Sequence, residues 1–159
     1  MRTRTRTKFK PVLVDNLASL HQDELIYLGS PYSHVDPVVR MNRAALVSQL
    51  AGKFMKCGRI IYCPIAETVF IAQFTELLDT TFNFWRDQDI PKLSRCTDLW
   101  VSLIDGWKQS VGLRHEIYYA LSHNIPVSFV SLDMVIVPAT NFLICEMYNI
   151  ASIEDLLNV

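Results

Sequence analysis

Short unbroken apolar runs alternate along this chain with longer stretches whose apolar residues recur at helical spacing, and that alternation leaves few folds open to it. The runs are Leu25–Leu28, Arg59–Cys63 (RIIYC), Leu99–Ile104 (LWVSLI) and Pro126–Val130, with Met134–Val137 as a candidate fifth. They are continuous rather than alternating, which is the pattern of strands buried on both faces. Between the first two, Val39, Leu46, Leu50 and Phe54 mark a helix from about Pro37 to Cys57. Asp36 stands before it as N-cap, Pro37 suits its first turn, and Gly58 ends it. Residues 65–84 combine an apolar helical portion with a Thr/Asn-containing connection. A short helix is predicted from Trp85 to about Arg95, with Pro91 in its first turn or at a break. Another runs over Leu113–His123, closed by Asn124 ahead of Pro126. Residues 140–157 read as helical segments, and 11–24 as a short helix or loop. Strand, helix, strand in this order predicts a parallel sheet covered on both faces.

The 159 residues are half apolar, enough for one domain that buries roughly two-thirds of its surface. Residues 1–22 read as a flexible basic tail and 23–159 as the single domain. Net charge is −1, but Arg2, Arg4, Arg6, Lys8 and Lys10 stand in the first ten residues without an acid, which leaves −6 for the remainder. A mildly acidic body argues against nucleic acid as the main ligand, the basic tail excepted. No run approaches the ~18 apolar residues of a membrane span, and no apolar core of a secretory signal precedes Asp15. Cys57, Cys63, Cys96 and Cys145 lack metal-ligand or C-x-x-C spacing and read as free thiols in a reducing, cytoplasmic compartment, with no metal expected.

Parallel sheets hold ligands outside the carboxyl ends of their strands. The loops Gly29–Ser33, Pro64–Thr68 and Asp105–Gly112 therefore converge on one crevice. Ser110 and Gly112 open a helix whose free N–H groups attract anions, and Glu116, farther along it, leans back toward the same crevice. A glutamate there suits a nucleophile or a base, and equally a solvated helix residue. At 29–33, G-S-P-Y-S lets a ligand approach the backbone and offers Tyr32 for stacking. No dinucleotide fingerprint or P-loop occurs. In W-R-D-Q-D at 85–89, Asp87 and Asp89 point to different faces of a helix, so one at most enters the crevice.

Together the segments YLGSPYS at 27–33, GRIIYCPIA at 58–66, FWRDQDIPKLSRCTD at 84–98 and DGWKQSVGLRHEIYYALSHNIPV at 105–127 resemble the nucleoside 2-deoxyribosyltransferase superfamily. The nearest likeness is to its phage and bacterial branch, DUF1937, and to the 2′-deoxynucleoside 5′-phosphate N-hydrolases. The resemblance implies a three-layer α/β/α fold on a parallel, flavodoxin- or Rossmann-like sheet of five strands, in a bacterial or phage-infected cell. It implies that Glu116, in S-x-G-x-x-x-E, attacks the anomeric carbon and that Asp89, with Asp87 as rival, assists the leaving base. Ser110 and Gly112 would lie at the 5′ end of the sugar, and Gly29, Ser30 and Tyr32 would hold sugar, phosphate or base. Tyr32 stands where nucleotide-hydrolysing members carry arginine, for which Arg40 or Arg43 would substitute. No cofactor is implied, and the partner is a small nucleoside or nucleotide.

The superfamily's habit of oligomerising implies a homodimer or larger assembly, with Asn141 or Tyr148 reaching across. As a carboxylate at the solvated edge of the crevice, Glu116 is expected to add little to stability. Two other readings compete with base release or sugar transfer: a non-catalytic nucleotide sensor on this fold, and a glycohydrolase of a nicotinamide dinucleotide.

Overall fold

The computed structural model describes residues 24–75 and 81–159. The basic tail expected at 1–22, and the helix or loop expected ahead of residue 24, lie outside them.

Five strands form one sheet: β1 (Ile26–Gly29), β2 (Ile61–Tyr62), β3 (Asp98–Ser102), β4 (Val127–Val130) and β5 (Ile136–Pro138), in the order β2-β1-β3-β4-β5. The helices are α1 (Pro37–Lys56), α2 (Pro64–Phe74), α3 (Phe82–Leu93), α4 (Val111–Ser122) and α5 (Asn141–Tyr148), followed by a 3-10 turn at Ile153–Asn158. β1 to β4 run parallel, whereas β5 pairs antiparallel with β4. This corrects the expectation of a wholly parallel sheet. A parallel return needs a crossover of a dozen or so residues, and only residues 131–135 separate the two strands. They fold into a turn in which Ser131 N–H donates to the Val135 carbonyl at 3.0 Å and Met134 adopts φ 64°.

Alternation along each strand divides the core into two. Tyr27, Leu99, Val101, Val127 and Phe129 face one side, with Leu93 of α3, Leu113, Ile117 and Ala120 of α4, and Ile144 and Tyr148 of α5. Ile26, Leu28, Trp100 and Val130 face the other, against Val47, Leu50, Ala51 and Phe54 of α1, with Ile65 and Ala66 of α2 alongside. Helices thus cover both faces, in three layers.

The first helix follows its sequence signals: Asp36 Oδ1 accepts from Val38 N–H at 2.8 Å and Pro37 is the first residue. α3 departs from expectation. It starts at Phe82, capped by Thr81, so Pro91 falls near its end rather than in its first turn. The ring removes the N–H that the Asp87 carbonyl would accept. The helix tolerates the loss because it ends two residues later, where Ser94 Oγ donates to the Pro91 carbonyl at 2.8 Å.

Ile117 is fully buried between α4 and the sheet. Ile117→Ala is expected to cost about 2–5 kcal/mol of folding stability, the range for core truncations. Urea unfolding checks this; a loss below about 1 kcal/mol would mean that α4 does not pack as described.

Candidate active site

The centre of the site is a contact between β1 and α4. Tyr27 and Gly29 are two residues apart on β1 and so share a sheet face. Glu116 is the sixth residue of α4, and its side chain leans back toward the helix start. The Tyr27 hydroxyl donates to Glu116 Oε1 at 2.7 Å. The other oxygen, Oε2, lies over Gly29: a Cβ there would stand 2.8 Å from it and 2.8 Å from Leu113 Cδ2. Glycine is required here for space. At the head of α4, Ser110 Oγ accepts from Leu113 N–H at 3.3 Å, and in the β1–α1 loop Ser30 is buried with its hydroxyl 3.2 Å from the Pro31 carbonyl.

Asp89 approaches from α3. Its Oδ1 is buried without a hydrogen-bond partner, and its charge is felt by Tyr27, Tyr62 and Glu116. The two carboxyls therefore occupy one electrostatic environment. Burial pushes Glu116 up to about 8; the Asp89 charge adds to the rise and the Tyr27 hydrogen bond opposes it. Burial likewise lifts Asp89 to about 6, with Lys92 opposing and Glu67 adding. Cys63, at the head of α2, is driven up to about 11, chiefly by burial, although the Ala66 and Ile65 amides favour its thiolate. That thiol is a poor nucleophile at neutral pH.

The remaining expected residues fall in different places. Asp87 points away, exposed and paired with Arg86 at 2.9 Å, into a groove of about 570 Å³ between α3 and α4 that includes neither Asp89 nor Glu116. Tyr32 is half-buried in the first loop. Gly112 is not required for space, because an added Cβ would meet only Ser110 Oγ at 3.9 Å. Arg40 donates to the His34 carbonyl at 2.6 Å and so holds the backbone of that loop. Arg43 is buried and braces two loops: Nη1 donates to the Ser33 carbonyl at 2.8 Å, and the guanidinium lies where a Cβ on Gly106 would stand, 2.0 Å from Nη2. Asn141 is exposed at the start of α5, the helix that follows the edge strand β5. Tyr148 does not project outward as expected; it is buried and T-shaped against Trp107, ring centroids 5.3 Å apart.

Sequence reasoning missed Tyr27, Tyr62, Glu67 and Lys92. Only Tyr27 left a signal, its two-residue offset from Gly29. Among the described residues no group of three or more His, Cys, Asp or Glu is placed to hold a metal ion, and no helix is long and apolar enough to cross a membrane.

The architecture defines a mixed α/β protein in which a carboxyl on α4, Glu116, meets Tyr27 and Gly29 of β1. The chain belongs to the family described as Domain of unknown function (DUF1937), which matches residues 24–132. That stretch runs from β1 past β4 and contains Glu116, Asp89, Ser110 and the first loop, but not Asn141. No curated protein matches the chain.

Glu116 is half-buried as a residue, but desolvation of its carboxyl gives it a pH-dependent part in stability. A carboxyl whose folded pKa of about 8 exceeds its ordinary 4.5 binds more protons folded than unfolded between those values. Stability from this group is full below pH 4.5 and declines as pH rises toward 8. Glu116→Gln is therefore expected to raise Tm relative to wild type at pH 9 and to change it little at pH 4. Thermal melts at the two pH values check this, and an equal effect at both would contradict a desolvated carboxyl.

Proposed function

We propose that the protein cleaves the N-glycosidic bond of a nucleoside or its 5′-monophosphate, with Glu116 as nucleophile and Asp89 as acid. The observation that carries the reading is the pair itself: one carboxyl oriented by a tyrosine hydroxyl, the other buried with an unpartnered oxygen. The strand order supports it. The sequence 2-1-3-4-5 is that of flavodoxin-like sheets, whose ligands sit where the order reverses. Here that is between β1 and β3, the strands that lead into the Gly29–Ser33 and Asp105–Ser110 loops.

In the first step a Glu116 oxygen attacks C1′ of the sugar. The C1′–N bond breaks, its electron pair goes to the base nitrogen, and the proton of Asp89 neutralises that nitrogen. The product is a glycosyl ester of Glu116 and a free base. Water then attacks C1′, the ester C–O bond breaks with its pair returning to Glu116, and Asp89 takes the water's proton. A second base attacking through nitrogen would replace water and give sugar transfer. Either course retains configuration over two displacements, like carboxylate glycosidases. Tyr27 holds one Glu116 oxygen, which fixes the direction of the other.

The reaction needs one proton on the pair. Below about 6 both groups are protonated, and above about 8 neither is. In the singly protonated form the proton favours Glu116, and the positive charge developing on the sugar draws it to Asp89. kcat/KM for base release is therefore expected to be bell-shaped, highest near pH 7, with limbs near 6 and 8. A profile flat from pH 5 to 9 would contradict it.

Incubation with a panel of nucleosides and 5′-monophosphates, read by chromatography for free base, tests the reaction. Glu116→Gln is expected to lower release by at least about a hundredfold. Asp89→Asn is expected to slow poor leaving bases more than good ones, because protonation matters most where the departing anion is unstable. Binding without release by wild type would instead favour a nucleotide sensor.

A further inference from the structure

Asp89 carries a buried oxygen that no hydrogen bond fixes; desolvation favours its protonated form, and the charges that face it adjust that preference. Those charges come from every element packed around it. β1 and β2 present Tyr27 and Tyr62, both held neutral, chiefly by burial. α4 presents Glu116. α2 presents Glu67, and α3 itself presents Lys92, one turn beyond Asp89 on the same face. Lys92 is the one cation among them. It does not point freely at Asp89: its Nζ lies 3.5 Å from Glu67 Oε2 and 5.3 Å from the centre of the Tyr62 ring.

We propose that Lys92 and Glu67 are opposed positioning residues that together set how readily Asp89 holds its proton. The inference rests on the role of Asp89 in the proposed reaction, and it assigns work to an ion pair that spans α2 and α3. Lys92 favours the Asp89 carboxylate. Glu67 disfavours it twice, by its own charge and by drawing the ammonium toward itself. An acid that must give up a proton and take it back in one turnover is served by such a divided counter-ion. A full partner would hold Asp89 ionised, and no partner would leave it protonated.

The two ends of an ordinary strut are equivalent, since removing either loses the same bond. The two ends of this pair are not. Lys92→Gln is expected to raise the Asp89 titration midpoint, and Glu67→Gln to lower it, each by roughly half a unit to one unit for a partly screened pair. Carbon-13 NMR of the Asp89 carboxyl in the full chain measures this without turnover. The acid limb of kcat/KM is expected to move in the same sense in each variant, and Lys92→Arg to restore the wild-type midpoint.

If a lone charge left in a single variant prevents folding, the double variant Lys92→Gln/Glu67→Gln is read, with a midpoint between those expected of the singles. Shifts of the same sign in the two single variants, no shift in either, or a double-variant midpoint outside that interval would overturn the proposal. Wild-type base release is measured separately. An inactive wild type with opposite shifts in its variants would count against the glycosidase reading, whereas an active wild type whose variants do not shift would count against the ion pair.

Discussion

The seating of a half-buried carboxyl between β1 and α4 governs much of this structure. Transfer of an ionised carboxylate out of water is among the costliest events in folding, and Glu116 avoids part of that cost by holding its proton until about pH 8. The rest of the accommodation is geometric. Tyr27 supplies a hydroxyl to one oxygen, and Gly29 supplies the absence of a side chain beside the other. Both lie on one face of one strand, so the requirement reaches back to the pleat of β1. Leu113 closes the same gap from α4, which ties the helix register to the strand register.

Much of this was legible in the sequence, because the signals concerned are local. The Asp36–Pro37 start of α1 depends on neighbours within one turn, and so does the Ser110 cap that places Glu116. Continuous apolar runs announced buried strands, and the crevice followed from strand direction. What escaped was partly local signal left unread and partly contact between residues distant in the chain. The direction of β5 is decided by the shortness of residues 131–135, a length that the apolar run itself does not encode. Pro91 was expected in the first turn of its helix or at a break because the Thr81 cap, which starts the helix at Phe82 rather than Trp85, went unread. The ion pair of Glu67 with Lys92 joins α2 to α3 across a separation that periodicity does not reach. Glu116 was expected at a wet edge; the residue stays half-buried, and only the packing of Tyr27 and Leu113 beside it accounts for the desolvation of its carboxyl.

The same buried site explains why two acids of similar intrinsic strength behave differently. Desolvation raises both, but Asp89 has a cation one turn away that offsets part of the rise and it ionises first, while at Glu116 the Asp89 charge adds to the rise, the Tyr27 hydroxyl only partly opposes it, and it ionises second. Ordinary side chains thus separate the two ionisations by about two pH units. Arg43 contributes at a different scale. It donates to Ser33 in the β1–α1 loop and packs against Gly106 in the β3–α4 loop, so one buried side chain touches both lips of the crevice.

The ends of the sheet carry a consequence of their own. β2, at one edge, is two residues long, and β5, at the other, finishes in Pro138, which has no N–H to offer. An exposed strand invites another chain to extend it, and shortness and proline are two ways in which proteins refuse that invitation. Among the described residues neither edge presents a long free ladder. Strand-on-strand fibre growth thus has little template here.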